Sequence, residues 1–163
     1  MVLLDVQSAF DGLPHLVVMR ALDALGVSGR MRHFVRAFLS DRSFRVRVGN
    51  AQSSPQPVTA GVPQGSVLSL FLFNEALARL PSTIPKGRHL PVHCSLYADD
   101  IALWTSGPRR NLAAVRTCLQ EALDASVGHL ASVGFSVSPA KTKALLVLVG
   151  PDRPPDGALP VSS

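Results

Sequence analysis

Hydrophobic and polar positions follow two different periods along the chain, and the changes of period mark out its elements. Met1 to Val6 is an apolar run interrupted only by Asp5, which predicts a short buried strand ending on a carboxylate. Asp11 and Gly12 punctuate, and Pro14 sits where a first-turn proline opens a helix. Leu16, Met19, Leu22 and Leu25 then recur at helical spacing until Gly26. A second helix is expected from Ser28, burying Met31, Phe34, Val35 and Phe38 and turning its arginines outward. Phe44 to Val48 alternates with period two, as a half-buried strand does, and Val58 to Val62 is its expected partner.

Gly61-Val62-Pro63-Gln64-Gly65 reads as a loop, and Ser66 to Leu80 as a nearly all-apolar, hence buried, helix. Pro81 to Pro91 is a connector. Val92 to Ala98 and Ile101 to Thr105 predict two short strands joined in a tight hairpin at Asp99-Asp100. Asn111 to Val133 predicts a long amphipathic helix with Leu112, Val115, Leu119, Leu123, Val127 and Leu130 on one side, stopped by Gly134. After a turn around Pro139, Ala144 to Val149 predicts a last strand, and residues 150–163, rich in Pro, Asp and Gly, an unstructured tail. Trp104 and the methionines are expected in the core. The order of elements fits an α+β fold, an antiparallel sheet covered on one face by helices.

Composition narrows this only slightly. With 163 residues, 47% hydrophobic and 17% charged, the chain is expected to form one domain with its own core. Cys94 and Cys118 are too few for a disulfide framework and match no zinc spacing, so they read as buried, reduced thiols of an intracellular protein. No apolar run reaches membrane-spanning length, and the N-terminus has no signal-peptide pattern, so a soluble, non-secreted chain is expected. Net charge is +5, and Arg30, Arg32, Arg36, Arg42, Arg45 and Arg47 fall close together, interrupted by the acid Asp41. That cluster suits a nucleic-acid backbone, or it is a solvated helix face followed by a strand's outer face.

The chemistry lies in the carboxylates. Adjacent acids at a hairpin repel each other, and stability alone would favour Asn-Gly there, so Tyr97-Ala98-Asp99-Asp100 points to a cation, with an ordinary solvent-exposed turn as the alternative. With the sheet closed, Asp5 would lie beside Asp99, unless it merely caps the turn that follows it. Carboxylates held together on neighbouring strands make a hard-oxygen site suited to magnesium, and two such ions suit phosphoryl transfer.

Four segments carry a resemblance. Asp5-Val6-Gln7-Ser8-Ala9-Phe10-Asp11, Gly61-Val62-Pro63-Gln64-Gly65-Ser66-Val67-Leu68-Ser69, Tyr97-Ala98-Asp99-Asp100 and Lys141-Thr142 stand in the order and spacing of reverse transcriptase motifs A to D. Over residues 1–149 the chain resembles the reverse transcriptase domain of non-LTR (LINE-like) retrotransposons, specifically its palm, with a ferredoxin- or RRM-like sheet. The resemblance implies Asp5, Asp99 and Asp100 as catalytic metal ligands for two Mg2+ (or Mn2+) ions, with the backbone carbonyl of Val6 completing the site. It implies Phe10 under the sugar of the incoming nucleotide, excluding a ribose 2′-OH, where core packing is the plain alternative. Gln64 and Gly65 would line the nucleotide and template pocket, Gly65 because a close backbone approach forbids a side chain. Tyr97 would sit near the primer end. Lys141 would neutralise or protonate pyrophosphate, or be a simple surface lysine, and Asp11 is expected to cap the following helix. The partners implied are an RNA template, a DNA primer and a dNTP, and the place of action the nucleus when chromosomal DNA is the target.

The sequence departs from the family pattern at Leu70, where proline is usual. Four residues precede Asp5 and a short tail follows Val149, so fingers, thumb, endonuclease and zinc knuckle are expected to be missing, and the chain alone to polymerise weakly or not at all. Two other readings stand beside this one. The first is a decayed or domesticated fragment that binds nucleic acid through Arg30, Arg32, Arg36, Arg45 and Arg47. The second is an RNA-directed RNA polymerase, which Phe10 argues against.

Overall fold

The structure is a computed structural model that describes residues 1–86 and 90–148. The tail expected from residue 150, and the end of the last expected strand at Val149, lie outside the described residues.

The chain runs β1 (Val2–Asp5), α1 (His15–Ala24), α2 (Gly29–Leu39), β2 (Ser43–Phe44), β3 (Arg47–Val48), β4 (Ala51–Gln52), β5 (Gln56–Pro57), α3 (Val67–Leu77) and α4 (Leu80–Thr83). It continues through β6 (His93–Tyr97), β7 (Asp100–Trp104), a 3-10 turn at Arg109–Asn111, α5 (Leu112–Ser132) and β8 (Lys143–Ala144). Helices thus combine with an antiparallel four-stranded sheet of order β6-β7-β1-β8.

The register gives the sheet two unlike faces. Val2 stands opposite Leu103, Leu4 opposite Ile101, and Leu96 opposite Ile101 on the other side. These residues share the covered face, where Val2, Leu4, Ile101 and Leu103 are buried in one core with Val18, Leu22, Leu72, Phe73, Leu77 and Leu130. The alternate positions Leu3, Asp5, Asp100, Ala102, Tyr97 and Trp104 carry the other face, as the period of two requires. On that face Leu3, Tyr97 and Trp104 are exposed. Phe73 is the aromatic centre of the core: its ring stacks on Phe10 at 4.8 Å and meets Phe135 edge-on at 5.8 Å.

Several expectations fail, each for a visible reason. In α2 only Val35 and Leu39 are buried and Phe38 is half-buried, while Met31 is 60% and Phe34 58% exposed. The helix touches α1 along one narrow stripe, so its apolar face is wider than what covers it. Phe44 to Val48 is no half-buried strand. It splits into two exposed ladders, β2 with β5 and β3 with β4, because the segment folds back on itself with no core beneath it. The partner is Gln56–Pro57, not Val58 to Val62. The helix expected from Ser66 to Leu80 breaks after Leu77, since Pro81 has no N–H to give and is tolerated only at the start of α4. Nor is it buried all round: Val67, Leu70 and Phe71 are exposed. The buried seam of α5 is Cys118, Ala122, Ser126 and Leu130, while Val127 is exposed. Trp104 stacks at 5.5 Å on His93 on the open face rather than joining the core. Cys118 is buried and Cys94 half-buried, both as free thiols. The last strand is only Lys143–Ala144.

Candidate active site

Strand β1 lies between β7 and β8, and this fixes where its carboxylate goes. Met1 exchanges backbone hydrogen bonds with Leu145, and the Ser138 N–H donates to the Asp5 carbonyl at 2.9 Å, so odd-numbered residues of β1 bond toward β8. Even-numbered residues therefore bond toward β7. Asp5 and Asp100, which stand opposite each other, form a non-hydrogen-bonded pair, the arrangement that brings cross-strand side chains closest. The same alternation turns the backbone carbonyl of Val6 toward the β6–β7 turn. Val6 itself is buried and bridges Val137.

The turn consists of Ala98 and Asp99, because Tyr97 already pairs with Asp100. Asp100 is thus the first residue of a strand and not, as expected from sequence, part of the loop. Ala98 takes φ 51°, at a position two-residue hairpins normally give to glycine. Asp5 and Asp99 are half-buried and Asp100 is exposed. A lysine meets the group: Lys141 Nζ lies 3.3 Å from Asp5 Oδ2. The sequence placed Lys141 in the site, and the structure makes it the direct partner of Asp5. Tyr97, 81% exposed, stands beside Asp100 on the open face. A hollow of about 200 Å³ opens there, lined by Leu3, Ser95, Tyr97, Asp100 and Ala102 among others. Among the described residues no set of three or more His, Cys, Asp or Glu side chains is gathered tightly enough to hold a metal ion. Asp5 and Asp100 face each other, and Asp99 stays in the turn.

The second wall is two loops laced together. The Val62 N–H donates to the Phe10 carbonyl at 2.9 Å and the Gly61 N–H to the Leu13 carbonyl at 2.8 Å. The Gly61 carbonyl in turn accepts from Arg42 Nη1 at 3.2 Å and lies 2.9 Å from His15 Nε2. Gly61 is the crowded glycine: a Cβ there would lie 2.5 Å from the Asp11 carbonyl oxygen. Gly65, assigned that role from sequence, has nothing within 4 Å of an added Cβ, and only its φ of 85° calls for glycine. Asp11 does not cap α1, whose first turn begins at Pro14 with no side-chain cap. It instead accepts from Gln64 Nε2, 3.1 Å from both carboxylate oxygens. Phe10 is half-buried against Phe73.

A family model described as "Reverse transcriptase (RNA-dependent DNA polymerase)" matches residues 1–158. The chain belongs to the reverse transcriptase family. It is similar to the RNA-directed DNA polymerase from mobile element jockey of Drosophila melanogaster, with 36% identity over 75% of this chain and 13% of that protein. It is also similar to the probable RNA-directed DNA polymerase from transposon BS of the same species, with 36% identity over 86% of this chain and 16% of the relative. A Pol polyprotein from the type-1 retrotransposable element R2 of Popillia japonica is 37% identical over 61% of the chain. These relatives bear out the non-LTR resemblance read from the motifs. The chain spans less than a fifth of the length of the curated relatives it matches.

The arginine cluster of this reverse transcriptase segment is partly spoken for. Arg32 binds Asp23 with two nitrogens, at 2.6 and 3.2 Å, which holds the Asp23 carboxyl below its ordinary pKa and the guanidinium above its own. Arg42 is bound to the Gly61 carbonyl, and Arg47 Nε donates to the Gly49 carbonyl at 3.0 Å. Arg30, Arg36, Arg45 and Arg47 are exposed on and after α2. Two features of the site left no local signal. The Asp11–Gln64 pair spans 53 residues, and the crowding at Gly61 comes from Asp11, about as far away in sequence. Gly61's place before Val-Pro was the one available hint.

Proposed function

We propose that this chain is the catalytic palm of an RNA-directed DNA polymerase, extending a DNA primer on an RNA template by two-metal nucleotidyl transfer. The observation that carries the reading is the facing of Asp5 and Asp100 across adjacent strands on the uncovered side of the sheet. Like charges placed directly opposite cost stability, and Lys141 offsets only part of that cost, so the arrangement favours binding a further cation. The strand order β6-β7-β1-β8, with helices following β1 and β7, supports a ferredoxin-like palm of the split βαβ type.

The donors suit a hard divalent ion: the facing carboxylates of Asp5 and Asp100 and the Val6 carbonyl, with Asp99 in the adjoining turn to be drawn in when an ion binds. Bound there, Mg2+ ions would lower the pKa of the attacking primer hydroxyl and neutralise the charge building on the leaving pyrophosphate. The residues of this chain do the rest. Lys141, already 3.3 Å from Asp5, stands ready to move onto pyrophosphate once the carboxylates have another positive partner. Phe10, held by its stack on Phe73, would lie under the sugar and exclude a 2′-OH. Gln64 and the backbone at Gly65 border the base and template side, and exposed Tyr97 offers a surface for the primer end. Among the described residues the one side-chain cation paired with these carboxylates is Lys141, so the 163 residues alone hold a triphosphate weakly and turn over slowly.

The test is Mn2+ binding to the chain, followed by paramagnetic broadening of the resonances of β1, β7 and their neighbours. Broadening centred on Asp5 and Asp100 and abolished by Asp5→Asn is expected; none in the wild type would sink the reading. Brisk metal-dependent primer extension by the same 163 residues, lost in Asp99→Asn, would overturn the claim of slow turnover. A second reading rests on exposed Arg30, Arg36, Arg45 and Arg47: a non-catalytic nucleic-acid binder. Salt-sensitive RNA binding with no Mn2+ site would favour it.

A further inference from the structure

Asp11 has one side-chain partner among the described residues, and that partner is Gln64. The carboxylate caps no helix and pairs with no lysine or arginine there. Its two oxygens lie equally far, 3.1 Å, from one amide nitrogen.

The chemistry of this contact decides more than the contact itself. An ionised carboxylate only accepts hydrogen bonds, whereas an amide has a donor end and an acceptor end. Facing Asp11, Gln64 must therefore turn its NH2 group inward, which leaves its Oε1 on the far side as an acceptor. Without Asp11 the amide can flip, and its outward chemistry is undefined.

The support behind Asp11 is unusually firm for an exposed pair. The loop that carries it is bound to the Gln64 loop by two backbone hydrogen bonds, and Gly61 lets the backbones approach to a distance that no other residue tolerates. Phe10, next to Asp11, is held by its stack on Phe73. One laced unit thus aims the aromatic ring and the amide together.

We propose that Asp11 is a positioning residue: it fixes the Gln64 amide so that Oε1 faces the nucleotide and accepts from one of its hydrogen-bond donors, a sugar hydroxyl or an exocyclic amine. This rests on the proposed function, in which a nucleotide lies beside Gln64, and deepens it by naming which end of Gln64 meets the ligand and what holds it there.

The test uses the 15N-labelled chain with the variants Asp11→Ala, Asp11→Asn, Gln64→Ala and the double alanine variant. The side-chain NH2 signals of Gln64 are those that vanish in Gln64→Ala. In Asp11→Ala they are expected to move to the position of a free, exposed amide, with the backbone spectrum otherwise retained. In Asp11→Asn, whose carbonyl can still accept, they should move only part of the way. Titration with dATP, dTTP and dideoxy-TTP reads the outward end. Asp11→Ala and Gln64→Ala should each weaken binding about three- to tenfold, the loss of one hydrogen bond, and the double variant no further. Loss of the effect with dideoxy-TTP but not with dTTP would assign the donor to the sugar; loss with dTTP but not dATP would assign it to the base amine. NH2 signals of Gln64 unmoved in Asp11→Ala would overturn the proposal, as would losses that multiply in the double variant. Absence of any nucleotide-dependent shift in the wild type, at any concentration reached, would instead sink the reading that a nucleotide lies beside Gln64, and the outward role of Gln64 with it, while the NH2 signals would still decide whether Asp11 holds the amide.

Discussion

The opposition of Asp5 and Asp100 makes a prediction about stability that runs against the usual effect of substitution. In metal-free buffer, Asp100→Asn should make the chain more stable. A non-hydrogen-bonded cross-strand pair sets its Cα atoms about 4.5 Å apart. Two unit charges at about 5 Å repel by about 0.8 kcal/mol at the dielectric of water and about 3 kcal/mol at an effective dielectric of 20. Asp100 is exposed and Asp5 half-buried, so the lower end applies. Lys141 relieves part of the repulsion; as a largely exposed pair its bridge to Asp5 is worth about 0.2–1 kcal/mol. Removing one charge should thus gain about 0.5–1.5 kcal/mol, or about 1–6 °C in Tm for a domain of this size. Lys141→Met should lower the stability by about 0.2–1 kcal/mol, and Tm with it. Adding Mg2+ should then reverse the order. A ligand at a hundred times its Kd stabilises by about 2.7 kcal/mol, an increment the wild type receives and Asp100→Asn does not. The assay is thermal unfolding followed by circular dichroism in EDTA and in excess Mg2+. The reasoning fails if Asp100→Asn lowers Tm in EDTA, or keeps the full Mg2+ increment.

Three further outcomes follow from the packing. Gly61→Ala combines a left-handed φ with a backbone clash and should cost about 2–5 kcal/mol by urea denaturation, whereas Gly65→Ala, strained but unobstructed, should cost about 1–2 kcal/mol; equal losses would remove the distinction between the two glycines. Phe73→Ala removes the fully buried ring at the centre of the aromatic stack and should cost about 3–5 kcal/mol, with loss of near-ultraviolet ellipticity. His129 is pulled below its ordinary pKa by burial and then by Arg79, and its Nε2 is buried without a partner among the described residues. The unfolded chain therefore binds the proton more readily. The contribution of neutral His129 is intact above its ordinary value and is lost as pH falls through the lower, folded value. His129→Phe should flatten that acid-side fall in stability relative to wild type; an unchanged slope would show that other groups cause it.

What could be read from the sequence was whatever local pattern decides. Val2 to Asp5 and His93 to Trp104 form strands because short apolar runs bounded by polar residues have few other options, and the carboxylates sit at their ends for the same reason. Apolar periodicity failed where contact with a partner matters more than size. On α5 it points to Leu119 and Leu123, yet Cys118, Ala122 and Ser126 are the buried ones. Small residues at every fourth position let a helix approach β7 closely, while the leucines flank the seam. On α2 the large apolar Met31 and Phe34 face solvent. In the site, Asp5 and Asp99–Asp100 were legible as motifs. The exchange of partners between Asp11, Gln64 and Gly61 was not, since hydrogen bonds across 53 residues leave no local trace.

The central position of β1 has a consequence for how the chain folds. This strand comes first in the order of the sheet's strands, yet both its neighbours, β7 and β8, come much later, with Asp100 lying 95 residues from Asp5 and Ala144 lying 142 residues from Val2. Closing loops of that length is slow and must precede any reward from pairing. During synthesis β1 waits, with its apolar side chains unsatisfied, until residues 100–144 have emerged. The opposed aspartates are among the last things assembled, so no partly folded chain brings them together, and the capacity to gather a cation there arrives only with the finished sheet.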